Sequence, residues 1–203
     1  MFSFFFSLDL SLTCLCFITK GHSLSCYECN GLTGSCVDQM ELTCPSGSTH
    51  CESLTAVTQI GHITSEEKRK GCVSACQNGS INLGLARMTT TCCNTDLCNL
   101  QDAPDPSNVP NGKKCYYCDG LTCSNTLSCS GDDDRCITAR VASGGPPAVV
   151  KGCVSKSFCG ATTSVRNVES FSCCEGDLCN GAQSVSQSFL FLCCSLLSYF
   201  LLH

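Results

Sequence analysis

The sequence contains no tryptophan, and its internal segments have few large apolar residues. A small domain of this kind buries too little apolar surface to offset its chain entropy, and cross-links usually supply the missing stability. Cysteine is correspondingly abundant, with 24 in 203 residues. That share exceeds the level of about 8–10% that marks a short disulfide scaffold. We therefore expect disulfides, rather than an apolar core, to hold the fold together.

An excess of basic residues is also missing. The chain carries 12 Lys and Arg against 17 Asp and Glu. The basic run Lys68-Arg69-Lys70 directly follows Glu66-Glu67, which partly offsets it. Because proteins that bind nucleic acid generally present a basic face, we expect no nucleic-acid partner.

Catalytic motifs are absent from the sequence as well. His50 lies beside Cys51 and His62 near a predicted hairpin tip, and no Gly-x-Ser-x-Gly elbow occurs. The run Asp132-Asp133-Asp134 lacks the spaced ligands and terminal Glu of a calcium loop, so we interpret it as a solvated acidic turn. We expect no enzyme activity, no catalytic residue, no cofactor and no metal site.

The amino-terminal segment has the features of a secretory signal peptide. Its apolar stretch ends in Gly21-His22-Ser23, a small-x-small cleavage signature, and we place the cut after Ser23. No Lys or Arg precedes the apolar run and Asp9 interrupts it, so a core helix or a membrane anchor is the alternative. The run is short for a membrane span, which favours a signal peptide over residues 1–23.

The carboxyl-terminal segment predicts a glycosylphosphatidylinositol (GPI) attachment signal. Three small residues, Asn180-Gly181-Ala182, precede the polar spacer "QSVSQS" and an apolar tail over residues 189–203. We predict attachment at Asn180, with Gly181 as second choice, and removal of residues 181–203. A short single-pass anchor is the alternative.

Both terminal signals predict an extracellular protein, and the cysteine count agrees. Cys14 and Cys16 leave with the signal peptide, and Cys193 and Cys194 leave with the tail. The 20 cysteines that remain are an even number, as a closed disulfide framework needs.

The remaining chain consists of two copies of one unit. "CYECNG" at 26–31 returns as "CYYCDG" at 115–120, "KGCVS" at 70–74 returns at 151–155, and "DLCN" at 96–99 returns at 177–180. These repeats predict domain 1 over residues 24–99 and domain 2 over residues 115–180. Residues 100–114 contain Pro104, Pro106 and Pro110, which favours an extended, partly stiff linker.

Between the cysteines the pattern is typical of strands. Residues 137–141, "ITARV", alternate with period 2 and run into the turn signal "SGGPP" and a returning strand, "AVVKGCV". Residues 52–57 and the return through "KRKGCV" predict a matching hairpin in domain 1. No convincing amphipathic helix is present. The predicted class is small, all-β and disulfide-rich.

Each copy contains ten cysteines, a Cys-x-x-Cys near its start and a terminal "CCNTDLCN" or "CCEGDLCN". In these features the chain resembles the lymphocyte-antigen-6/urokinase-receptor family of LU, or three-finger, domains, and the resemblance covers both repeats. It implies three hairpin fingers on a disulfide-knotted base. Finger 1 is expected near 29–43 and 118–128, finger 2 near 52–71 and 137–152, and finger 3 near 77–91 and 160–172.

The resemblance also implies how the cysteines pair, with five disulfides in each domain. The implied pairs are Cys26–Cys51, Cys29–Cys36, Cys44–Cys72, Cys76–Cys92, Cys93–Cys98, Cys115–Cys136, Cys118–Cys123, Cys129–Cys153, Cys159–Cys173 and Cys174–Cys179. Asn99 and Asn180 resemble the family's buried asparagine, which hydrogen-bonds the backbone at the base. Zinc is the rival interpretation of Cys-x-x-Cys, but a secreted context favours paired thiols. A thioredoxin-like redox site would need a βαβ unit, which is absent.

Taken as a guide to function, the resemblance implies a GPI-anchored receptor or co-receptor on the extracellular face of the plasma membrane. It would bind an extracellular protein ligand through its finger loops or concave sheet, and the urokinase receptor differs in having three such domains. The alternative is a soluble two-domain inhibitor similar to gamma-type phospholipase inhibitors. The candidate binding residues are Ile60, His62, Ile63, Arg140, Val141, Pro146 and Pro147.

One sequon is present, Asn78-Gly79-Ser80 in the predicted finger 3 of domain 1. In a secreted loop it predicts N-glycosylation at Asn78. The alternative is an unmodified Asn-Gly turn.

Overall fold

The structure is a computed structural model that describes residues 23–31, 34–142, 146–160 and 168–181. The predicted signal peptide, apart from Ser23, and the predicted GPI propeptide beyond Gly181 lie outside the described residues, as does most of finger 3 in domain 2. Among the described residues, no helix is long and apolar enough to span a membrane.

Domain 1 folds as three β-hairpins. Finger 1 contains β1 (Ser25–Gly31) and β2 (Met40–Thr43), finger 2 contains β3 (His50–Ile60) and β4 (Ile63–Val73), and finger 3 contains β5 (Gly79–Asn82) and β6 (Ala86–Cys93). All six strands share one sheet in the order β2-β1-β4-β3-β6-β5.

Domain 2 repeats the arrangement with differences in fingers 1 and 3. Finger 1 consists of β7 (Pro110–Tyr117) and β8 (Asn125–Ser130), finger 2 of β9 (Arg135–Val141) and β10 (Ala148–Val154), and finger 3 includes α1 (Lys156–Cys159) and β11 (Val168–Cys174). Here β7 and β8 form a separate two-stranded sheet, while β11, β9 and β10 join the large sheet. The predicted all-β fold with two three-finger domains is confirmed.

Disulfides replace a conventional core. The fully buried side chains include Cys26 and Cys51 in domain 1 and Cys115, Cys129 and Cys136 in domain 2. Among the described residues there are ten disulfides, the same ten pairs that the resemblance implies. Within the same part of the chain, each domain has one cluster in which three cysteine sulfur atoms lie close together. Every sulfur in them belongs to a disulfide, so none is a thiolate that would bind a metal.

Each residue of the "DLCN" repeat has a separate role at the base of domain 1. The Asp96 carboxylate accepts a hydrogen bond from Ser25 N at 2.9 Å, and Leu97 N donates to Ser25 O at 2.7 Å. Cys98 closes a disulfide with Cys93. The buried Asn99 amide accepts from Tyr27 N at 2.8 Å and donates to the Tyr27 and Glu52 carbonyls at 2.9 and 3.1 Å. The motif therefore clips the end of the domain to its first strand.

Domain 2 contains the same clip at its own end. Asp177 accepts from Lys114 N at 3.1 Å, and Leu178 N donates to Lys114 O at 2.7 Å. Asn180 is 5% exposed, accepts from Tyr116 N and donates to the Tyr116 and Ile137 carbonyls, each at 2.9 Å.

The segment after domain 1 packs against finger 2 of that domain. Ser53 and Thr55 are buried in β3, and their hydroxyls donate to the carbonyls of Gln101 and Ala103 at 3.0 and 2.6 Å. Lys70, whose side chain is 2% exposed, donates to Leu100 O at 2.6 Å and contacts the Asp102 carboxylate at 2.9 Å. The hydrogen bond from Lys70, with Lys68 nearby, lowers the pKa of Asp102. The first part of the predicted linker is thus fixed to domain 1.

The two domains join edge to edge. Strand β5 of domain 1 pairs antiparallel with β10 of domain 2, Asn82 opposite Cys153 and Ile81 opposite Val154. Gly84, in the turn of finger 3, lies against the ring of Tyr117 in finger 1 of domain 2. Finger 3 of domain 1 therefore contacts both finger 1 and finger 2 of domain 2.

This pairing also sets the direction of the fingers. Strand β5 runs from base to tip and β10 from tip to base, so antiparallel pairing points the fingers of both domains the same way. The register places Cys153, at the base of domain 2, level with Asn82 near the tip of finger 3. Domain 2 is therefore displaced along the finger direction, with its base level with the finger 3 tip of domain 1.

Candidate binding surface

The tip of finger 2 in domain 1 is apolar and exposed. Ile60 and Ile63 face each other across the last pair of the β3–β4 ladder, at 70% and 74% exposure. Gly61 takes the turn with φ 62°, a left-handed conformation that suits glycine, and the exposed His62 completes it. The ladder holds both isoleucines at the end of a hairpin, where they pack on little of the protein.

A third aliphatic residue, Leu85, lies beside this tip. The Gln59 amide donates to Leu85 O at 2.8 Å, and Leu85 is 45% exposed in the turn of finger 3. Ile60, Ile63 and Leu85 form what we call the tip patch. The sequence does not predict Leu85, because a single leucine in a short turn shows no periodicity.

The candidate residues of domain 2 occupy the corresponding hairpin. Arg140 is exposed in β9, and Val141 is half-buried opposite Ala148. Pro146 and Pro147 are exposed just before β10 begins. Residues 143–145 of this turn lie outside the described residues. The structure thus places these candidates in finger 2 of domain 2, apart from the tip patch of domain 1.

The described residues contain one close hydroxyl–imidazole pair, at the base of domain 1. Thr49 Oγ1 lies 2.8 Å from His50 Nδ1 and 2.9 Å from Ser74 O. The Ser74 carbonyl can only accept, so it competes with the imidazole for the single hydroxyl proton of Thr49. These contacts tie the start of β3 to the segment that follows β4.

The interpretation of Asp132-Asp133-Asp134 as a solvated turn is wrong for Asp133. Its side chain is 3% exposed and accepts a hydrogen bond from the hydroxyl of Ser80, in the other domain, at 2.5 Å. Burial raises the pKa of Asp133, and the neighbouring carboxylates of Asp132 and Asp134 act in the same direction. The sequence gives no signal of this burial, because the contact crosses the domain junction.

The serines after β10 extend the same junction. Ser155 N donates to Ser80 O at 3.0 Å, and Ser155 Oγ accepts from Ser80 N at 3.1 Å. Ser157 Oγ donates to Asn78 O at 2.5 Å. These hydrogen bonds extend the strand pairing, so finger 3 of domain 1 is bound to domain 2 along most of β5.

Comparison with known proteins gives matches for both repeats. Residues 22–101 match the u-PAR/Ly-6 domain, and residues 114–180 match the family of snake toxins and toxin-like proteins. The chain is 27% identical to lymphocyte antigen 6E of Gallus gallus over 100 residues, 49% of this chain and 77% of that protein. It is 33% identical to three-finger toxin MALT0063C of Micrurus altirostris over 88 residues, 43% of this chain and 84% of the toxin.

A longer alignment is found with a receptor. The chain is 29% identical to the urokinase plasminogen activator surface receptor of Rattus norvegicus over 203 aligned positions, 88% of this chain and 62% of the receptor. The chain therefore spans less than two thirds of the receptor's length.

Proposed function

Because the chain belongs to the u-PAR/Ly-6 family of three-finger proteins, we propose that it is a GPI-anchored protein of the outer cell surface. In this proposal it is not an enzyme and binds an extracellular protein ligand through its finger tips. The observation that carries the binding proposal is the tip patch, three exposed aliphatic residues held together at the end of a rigid sheet.

The tip patch supports binding because exposed aliphatics of this kind gain free energy only when a partner covers them. Residues that dominate protein interfaces become fully desolvated in well-packed pockets on binding, and aliphatic side chains gain free energy from that removal from water. Loops on a rigid scaffold commonly carry recognition, and here the β3–β4 ladder and ten disulfides provide that scaffold. The fingers of both domains point the same way, and those of domain 2 project beyond the tip patch.

The two terminal segments support the anchor. They combine a predicted signal peptide with a small triplet, a polar spacer and an apolar tail. Attachment at Asn180 is compatible with the geometry at the end of domain 2. The anchor joins the main-chain carboxyl group, so the Asn180 side chain keeps its three hydrogen bonds to Tyr116 and Ile137.

The ligand in this proposal is an extracellular protein and is not assigned to urokinase. The rat relative is named as the surface receptor for urokinase plasminogen activator, and this chain covers 62% of its length. That similarity supports a protein ligand and does not specify which one.

Substituting the tip patch is expected to weaken binding and to leave the protein folded. We predict that Ile60→Asp combined with Ile63→Asp weakens ligand binding by roughly 30-fold or more, the effect of losing about 2 kcal/mol at an interface anchor. Both side chains are exposed, and the two new carboxylates face each other only at the open end of the ladder, so the melting temperature should fall by a few degrees at most. The assay is binding of fluorescent tetramers of the protein to a panel of cells and immobilised secreted proteins.

Val37→Asp is the matched control. Val37 is an equally exposed aliphatic, at 85%, but lies in finger 1, away from the tip patch. Its substitution should leave binding unchanged. Binding that survives the double substitution and disappears with Val37→Asp would place the interface on finger 1 and contradict the tip assignment.

A further inference from the structure

A cavity of about 690 Å³, open to solvent and lined mainly by residues with polar side chains, lies at the junction of the two domains, beside the sequon. Asn78 and Gly79 line it from domain 1. Asn111, Lys113, Asp132 and Lys156 line it from the other side, together with two serines of domain 2.

The chemistry of the lining suits a carbohydrate. Amides, hydroxyls, carboxylates and ammonium groups surround the cavity, and these groups donate to and accept from sugar hydroxyls and acetamido groups. Lys113 and Lys156 also contribute aliphatic stems, which can lie along a sugar ring while the ammonium groups stay solvated.

Asn78 is oriented for a modified side chain. It is exposed, and its Oδ1 accepts a hydrogen bond from Cys92 N at 2.6 Å. That bond uses the oxygen and leaves Nδ2, the atom that carries an N-linked sugar. Ser157 of domain 2 donates to the Asn78 carbonyl, so the modified residue is itself held at the junction.

We propose that the first sugars of an N-linked glycan on Asn78 occupy this cavity and hold the two domains together. A sugar in the cavity contacts domain 1 through its bond to Asn78 and domain 2 through the opposite wall. Any group that binds the docked arrangement better than the separated one shifts the equilibrium towards docking. This proposal does not depend on the identity of the ligand or on the anchor.

The geometry also determines whether glycosylation or docking of the domains comes first. The sequon requires the Ser80 hydroxyl, and in the docked protein that hydroxyl donates to the buried Asp133 carboxylate. The glycan must therefore be attached before finger 3 docks on domain 2. Once attached, it is in place when the cavity forms around it.

The test compares three forms of the full chain by hydrogen exchange. The chain is expressed in cells that make only high-mannose glycans, and part of it is trimmed with endoglycosidase H to a single N-acetylglucosamine. Asn78→Gln is the third form. Amides of residues 79–83 and 153–157 should exchange about threefold to tenfold more slowly in both glycosylated forms, the effect of about one added hydrogen bond. Amides of the β3–β4 hairpin should be the same in all three.

Lys156→Ala separates the glycan from any effect of the Asn78 substitution. This change alters the far wall of the cavity and leaves the sequon intact. It should speed exchange at the junction in the glycosylated protein and have no effect in the Asn78→Gln background. Equal junction exchange in the three forms, or an Asn78 peptide that carries no glycan by mass spectrometry, would overturn the proposal.

Discussion

Replacing Gly152 with alanine is expected to separate the two domains, whereas the same change at Gly71 is expected to be tolerated. A Cβ on Gly152 would lie 2.1 Å from the backbone oxygen of Asn82 and 3.0 Å from Leu83 Cα. Both obstacles are main chain of finger 3, at the end of β5 and in the turn that follows it, and cannot rotate away. Strand β10 must therefore move off β5, at a cost of about 1–3 kcal/mol for overpacking.

Separation of β10 from β5 should break hydrogen bonds along the whole junction between the domains. The β5–β10 pairing covers two residue pairs, and the bonds from Ser155 and Ser157 to domain 1 depend on it. Small-angle scattering should report a larger radius of gyration, because the domains then remain joined by the segment that follows Ala103. Exchange of the Ser155 amide should rise towards that of an exposed loop.

Gly71 is a control provided by the repeat itself. It occupies the same place in "KGCVS" and precedes a disulfide cysteine in the same way. Nothing lies within 4 Å of a Cβ at Gly71, since no second domain packs there. If Gly71→Ala and Gly152→Ala have equal effects on scattering, the close approach of β5 to β10 is not what joins the domains.

Replacing Asn99 with alanine is expected to destabilise domain 1 by roughly 2–4 kcal/mol, because it leaves buried backbone groups without partners. The side chain is 4% exposed and makes three hydrogen bonds to Tyr27 and Glu52. Water cannot readily replace it in that position. The measurement is urea unfolding of the oxidised protein, compared with Asn94→Ala, an exposed asparagine in the same loop.

Asn99→Asp shows whether the packing or the hydrogen bonds of the Asn99 side chain stabilise domain 1. It keeps the shape and the acceptor for Tyr27 N but lacks both donors to the carbonyls. We expect it to be at least as destabilising as alanine. If the free energy of unfolding of Asn99→Ala lies within about 0.5 kcal/mol of that of the Asn94→Ala control, the ordinary range for a surface substitution, the disulfides alone hold the base of domain 1.

The cysteines and the hairpins could be predicted because their signals are local. The repeated "CYxC" and "DLCN" segments mark the start and the end of each domain, and the alternation in "ITARV" indicates a strand that the structure places in β9. Resemblance to a known family then implied the same pairing that the structure contains. None of these steps needed information about how the domains meet.

The junction could not be predicted, because it depends on residues that look alike in sequence and differ only in surroundings. Gly71 and Gly152 lie in identical pentapeptides, and only one of them meets another domain. Asp133 lies within an acidic run that would ordinarily be solvated, yet the contact with Ser80 buries it. Ser53 and Thr55 are polar residues at buried positions of β3, which the sequence pattern does not predict. Their burial is explained by the segment after Asn99, whose carbonyls accept hydrogen bonds from both hydroxyls.

The tip patch was predictable only where its signal in the sequence is local. Ile60 and Ile63 flank a Gly-His turn, so the sequence places them at a tip, and the structure leaves them exposed there. Leu85 joins them only through the neighbouring finger. Its role could be found only once the register between β3 and β6 was known.

Enzymatic release from the cell surface would show whether the protein is GPI-anchored. The full chain would be expressed in animal cells with an epitope after Ser23 and treated with phosphatidylinositol-specific phospholipase C. We predict that the epitope appears on the surface and moves into the medium on treatment. Retention on the surface after treatment would indicate a spanning tail, and protein in the medium without enzyme would indicate a soluble two-domain protein. Either result would mean that the protein is not GPI-anchored.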